Sequence, residues 1–135
     1  MAEYTATDVQ VVQPGASIIF TDSPVPCSRG FIKHRDGTGS FLLSGYVPNR
    51  YSCGCCSRNK DAQYFIDFGC NVALNTGATV EPISVSFSLD GSTISSSTMI
   101  STPAAVGDFN NISRAINVDV WRGCCETLMV TNTST

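Results

Sequence analysis

The sequence predicts an all-β fold: a single antiparallel β-sandwich or jelly roll, with about eight to ten strands. Three observations carry this. Ile83, Val85, Phe87 and Leu89 alternate strictly with Ser84, Ser86 and Ser88, the period of two that gives a strand one apolar and one wet face. Tyr64, Ile66, Phe68, Cys70, Val72 and Leu74 do the same against Asp67, Gly69, Asn71 and Asn75. Short apolar runs elsewhere are separated by Pro, Gly, Asn and Asp at sandwich-like spacing. Helix formers are sparse and β-branched residues abundant, so no long helix is expected.

The 135 residues suit one domain, long enough for a hydrophobic core without staples. Only 14% are charged and the net charge is −3, which excludes the basic face a nucleic-acid binder needs to neutralise phosphates. At 42% hydrophobic the chain is not disordered, and no apolar run reaches the roughly 18 residues of a membrane span. Ser and Thr number 30, while lysine occurs only as Lys33 and Lys60, so hydroxyls rather than charges make the surface polar.

Residues 1–8 read as a polar N-terminal arm, with neither the basic nor the apolar region of a secretory signal. The domain proper spans 9–135. Val9–Val12 and Ala16–Phe20 flank Pro14-Gly15 as the first strands, and Pro24 and Pro26 then interrupt the chain. Gly30–Arg35 and Ser40–Leu43 flank Asp36-Gly37-Thr38-Gly39, a strong hairpin signal. After the two alternating segments, Asp90-Gly91 turns the chain, and Ser97–Thr102 is a strand ended by Pro103. Asn111–Trp121 and Glu126–Thr131 complete the set, joined by a turn at Arg122-Gly123.

A Cys-rich loop at 46–62 breaks the rhythm, too rich in Gly, Asn, Arg and Ser for a core strand. Of seven cysteines, Cys70 falls on an apolar strand face and reads as a small buried hydrophobe. Cys27, Cys53, Cys55, Cys56, Cys124 and Cys125 fall in turns or loops and are the disulfide candidates. Six cysteines pair in fifteen ways, and sequence does not choose among them. The alternative is a structural zinc held by thiolates of Cys53, Cys55 and Cys56 with Cys124 or Cys125, although Cys-x-Cys-Cys is not the usual knuckle spacing. No other metal or cofactor is expected. His34 is the only histidine, and neither a nucleophile elbow nor a His-Glu-x-x-His motif accompanies it. It reads as a hydrogen-bonded strand residue, and no catalytic residue is expected. Tyr46 and Tyr51 are surface-binding candidates, being aromatic rings in a loop that suit sugar or protein contacts. Phe109 and Trp121 are assigned instead to packing.

Several motifs together resemble a known family. They are Tyr64-x-Ile66-x-Phe68, Asn71-Val72-Ala73-Leu74, Thr76-Gly77, Ile83-x-Val85-x-Phe87-x-Leu89-Asp90-Gly91 and Ser97-Thr98, with Asn117-x-Asp119-x-Trp121-Arg122-Gly123 and Leu128-x-Val130 near the end. The pattern, over roughly residues 9–131, resembles the trimeric jelly rolls of the tumour-necrosis-factor and complement-like superfamily. The nearest likeness is to its bacterial and phage branch, including tips of collagen-like exosporium glycoproteins and phage decoration domains. This chain departs from it in lacking a Gly-x-y repeat and in carrying the Cys-rich loop.

The resemblance implies a homotrimer. A second apolar strand face, chosen by alternation as Phe41, Leu43, Phe65, Ala73 and Leu128, is the expected trimer interface. It also brings the first and last strands together, so Cys27 is expected near Cys124 or Cys125. The function implied is that of a non-enzymatic structural virion protein. It decorates a phage capsid or fibre at the virion surface, docks on a capsid or fibre protein through the N-terminal arm, and adheres to cell-surface carbohydrate. The alternative is a jelly-roll domain of a bacterial cell or spore surface that binds a host protein or carbohydrate. Nucleic-acid and membrane partners are not expected.

Overall fold

The computed structural model describes residues 1–28, 30–45, 62–121 and 125–135. The fold is all-β and antiparallel, a sandwich-like stack that is not closed into a barrel. Strands β1 (Glu3–Thr5) and β2 (Asp22–Val25) form a two-stranded ribbon. Strands β3 (Ile32–His34), β4 (Phe41–Leu43), β6 (Ile83–Leu89), β7 (Ser92–Thr93), β8 (Met99–Ser101) and β10 (Glu126–Asn132) form the large sheet. Its order is β3-β4-β10-β6-β7, with β8 also on β6. Strands β5 (Ala62–Val72) and β9 (Asn110–Val120) pair over their full lengths as the opposing layer.

The two alternating segments become β5 and β6. On β5 the even-numbered residues turn inward, and on β9 Ile112, Ile116, Val118 and Val120 match them. From the large sheet come Phe41, Leu43, Val85, Phe87, Met99, Leu128 and Val130. Phe68 of β5 meets Phe87 of β6 edge to face at 6.0 Å, so the layers touch through aromatic rings. Phe87 and Val120 are fully buried.

Turn chemistry fixes the hairpins. Leu89 pairs with Ser92, leaving Asp90 and Gly91 as a two-residue loop in which both φ angles are positive, at 50° and 84°. That is the Asp-Gly type I′ hairpin whose twist matches the strands. The Asp90 carboxylate also accepts the Thr127 N–H at 2.8 Å, tying the turn to β10. The β3–β4 hairpin forms around Gly37 as the sequence predicts.

The structure departs from expectation in several places. Glu3–Thr5 of the polar arm is strand β1, because it finds an open edge on β2 and because Tyr4 packs against Phe41 at 4.9 Å. Val9–Val12 is not a strand. Ala16–Phe20 makes only bridges, Ser17 to Thr131 and Phe20 to Thr38, while Ile18 N–H reaches Val130 O and Asn132 N–H reaches Ala16 O. This strap borrows the edge of β10 that short β4 leaves open. Pro24 lies within β2, where an edge position tolerates its missing donor.

Ser97 belongs to a 3-10 turn, Ser95–Ser97, rather than to the strand that follows. The serine face of β6 is not wet: Ser86 and Ser88 are buried. Ser86 Oγ lies 2.9 Å from Thr98 Oγ1 and 3.2 Å from Thr133 Oγ1, and Ser88 Oγ lies 3.2 Å from Thr131 Oγ1. Alternation marks which residues share a face but not whether other chain covers it.

Candidate functional site

His34 stands at the end of β3 within a group of rings. It stacks on Phe41 at 4.2 Å and 15°, with Tyr4 edge-on at 5.1 Å and Phe20 edge-on at 6.3 Å. Its Nδ1 faces Ser40 O at 2.9 Å and its Nε2 faces Phe20 O at 3.2 Å. Both partners are carbonyl acceptors, and a neutral imidazole donates to one of them: from Nδ1 it closes its own hairpin, from Nε2 it reaches the strap. Among the described residues the ring's hydrogen-bond partners are these two backbone carbonyls.

Two tyrosines buttress the same end. Tyr64 Oη donates to Ser44 O and to Phe31 O, joining β5 to the ends of the β3–β4 hairpin. Burial raises the Tyr64 phenol above its ordinary value, helped by the nearby Cys27 sulfur and opposed by its bond to Ser44. Burial also raises Tyr4, while a hydrogen bond with the Cys27 backbone lowers it. A hollow beside them is lined by Met1, Ala2, Cys27, Ser28, Phe31 and Ile32.

The expected interface residues separate. Phe41 (8% exposed), Leu43 (2%) and Leu128 (5%) lie in the protein's own core, not on a surplus face. The register explains the correction: β4 pairs with β10, with Leu128 opposite Phe41, and both turn toward the β5–β9 layer. Ala73, just after β5, is half-buried. Phe65 is 72% exposed, on the face of β5 that points away from the core. Phe109 and Trp121, read as packing residues, are exposed as well.

Cys27 and Cys125 are half-buried, one in the turn after β2 and one immediately before β10. Cys70 is half-buried on the inner face of β5, where burial pushes its thiol up. Cys53, Cys55, Cys56, Cys124, Tyr46 and Tyr51 lie outside the described residues. Among the described residues no three His, Cys, Asp or Glu side chains gather as a metal site. No described helix is long and apolar enough to cross a membrane.

The surface with the most chemistry to offer is the outer face of the β5–β9 ribbon. Register places Gln63 opposite Asp119, Phe65 opposite Asn117 and Asp67 opposite Ala115. Sequence reading picked out Phe65 by alternation but missed its polar surround, because pairing between residues some fifty positions apart leaves no local signal. At the other end of the ribbon Asn111 Nδ2 donates to Asn71 Oδ1 at 3.2 Å. Compared with models of protein families, with curated proteins and with solved structures, the chain shows no match.

Proposed function

We propose that this chain is a non-enzymatic structural protein of a virion surface, a jelly-roll β-sandwich that assembles as a homotrimer on a phage capsid or fibre and adheres to other surfaces. The observation that carries the assembly is the concentration of exposed apolar side chains early in the chain. Val9 is 87% exposed, Val11 64%, Ile19 43%, Val25 39% and Phe31 44%, all within residues 9–31 and outside the two-layer core. Exposed apolar side chains so close together in sequence support a surface that a partner covers. In this reading the interface is not the alternation set but the N-terminal third, which also serves as the dock for a capsid or fibre protein.

Support for the jelly-roll topology comes from β10, the last strand, which inserts between β4 and β6 by long-range antiparallel pairing. Cys125 is disulfide-bonded in this reading, which suits a protein that works outside a cell. A bacterial cell or spore surface is the alternative home for the same module.

Light scattering of the purified chain tests the assembly. The expected mass is three times the 14.4 kDa of one chain, and a stable monomer at micromolar concentration overturns it. Mass spectrometry of purified virions against spore coats separates the two locations.

A further inference from the structure

We infer that the outer face of the β5–β9 ribbon around Phe65 binds a neutral oligosaccharide. The inference rests on the adhesive part of the function proposed above and assigns it a place and a ligand class. Phe65 is 72% exposed in the middle of a regular strand, where a large apolar side chain gains nothing from burial. Gln63 and Asp67 flank it along β5, Asn117 faces it across the pair, and Asp119 stands diagonal to it. All four of these polar residues are exposed, and among the described residues their side chains have no hydrogen-bond or ionic partner. Same-face neighbours in such a pair stand roughly 5–7 Å apart, which brings every one within reach of a single sugar ring stacked on Phe65.

The chemistry selects the occupant. A flat ring offers its face to the C–H side of a pyranose. The amides of Gln63 and Asn117 both donate and accept hydrogen bonds, and the carboxylates of Asp67 and Asp119 accept from hydroxyls. The odd-numbered, outward residues of β5 and β9 include no lysine or arginine, so the only charges they offer are acidic, which disfavours an anionic glycan or phosphate. Charge also disfavours a second copy of the same face, which would bring Asp67 and Asp119 of both copies together. Area argues the same way. Two 11-residue strands present a face of roughly 36 by 10 Å, well below the roughly 800 Å² per partner of a stable interface.

Saturation-transfer NMR on the full chain, with maltohexaose, cellohexaose and chitohexaose as probes, tests the inference. A heparin hexasaccharide and pentalysine serve as contrasts. At least one neutral hexasaccharide is expected to bind at millimolar concentration, and Phe65→Ala is expected to weaken it roughly tenfold. Asn117→Ala is expected to weaken it less, and both variants keep the wild-type mass and unfolding midpoint because these side chains are exposed. Three results overturn the inference: no binding of any neutral probe, binding unchanged by Phe65→Ala, or pentalysine binding that displaces the sugar. A change of oligomer mass in Phe65→Ala also overturns it, since the ring would then belong to an assembly contact. Sugar binding by a monomeric chain removes the trimer and leaves this site standing.

Discussion

Ser97→Ala tests how this sheet closes a gap in its own edge. Strand β6 pairs with β7 at Ser88 and Leu89 and with β8 at Ile83 to Val85, so among the described residues no strand faces that edge in between. The chain crosses that gap as a 3-10 turn. There Ile94 N–H bonds Phe87 O at 2.8 Å, and Ser97 Oγ accepts the Phe87 N–H at 2.9 Å while donating to Ile94 O. Ser97 and Phe87 are both 0% exposed, so water cannot replace the hydroxyl. Ile94 O keeps a second donor, the Ser97 N–H at 3.0 Å, so alanine leaves one group orphaned, the Phe87 N–H.

An orphaned buried donor costs about 1–3 kcal/mol, and losing the bond to Ile94 adds about 0.5–1 kcal/mol. The expected loss is therefore roughly 2–3 kcal/mol, a large share of the stability of an ordinary domain. Urea unfolding followed by far-UV circular dichroism measures it, with Ser96→Ala, an exposed neighbour in the same turn, as the control. The Phe87 amide should also exchange faster with solvent in the variant. A loss under about 0.5 kcal/mol, equal to that of Ser96→Ala, refutes the claim that this hydroxyl completes the sheet edge.

Other outcomes follow from the same geometry. Phe87→Ala should cost about 3–5 kcal/mol in the same assay, because the ring is fully buried where the layers meet; a cost below about 1 kcal/mol contradicts that packing. Gly39→Ala should destabilise by more than the usual exposed change, since a Cβ there falls 2.6 Å from Ile18 O, a backbone atom of the strap; an unchanged unfolding midpoint refutes the close approach. Tyr4 and Tyr64 both have phenols raised above 10.0, so the fold holds the neutral form and the unfolded chain loses its protons first. Their contribution is fully present below pH 10 and is lost as pH rises above it, and a Tyr4→Phe, Tyr64→Phe double variant should lose stability less steeply with pH. An equal slope in the double variant removes the tyrosines as the cause. Cys70, with its thiol pushed up by burial, should resist iodoacetamide at pH 8 in the folded protein and react in denaturant, read from its tryptic peptide; equal rates in both states contradict its placement.

Much of the strand content was legible because period two is a local property. Ile83–Leu89 and Ala62–Val72 each state in their own residues which side chains share a face. Asp90-Gly91 likewise names its turn, since both positions need positive φ and the aspartate and glycine pair supplies it. The residues say nothing about what lies against each face. Phe41, Leu43 and Leu128 alternate as an interface set would, yet become core because β4 and β10 pair and turn the same way toward the β5–β9 layer. Ser86 and Ser88 read as solvated, yet Thr98, Thr131 and Thr133 bring hydroxyls that satisfy them out of water. Phe65 and its four polar neighbours come from strands some fifty residues apart, so only the full-length pairing of β5 with β9 gathers them. Local alternation thus fixed the strands and their faces, while long-range pairing decided which faces were buried and where polar and aromatic groups met at the surface.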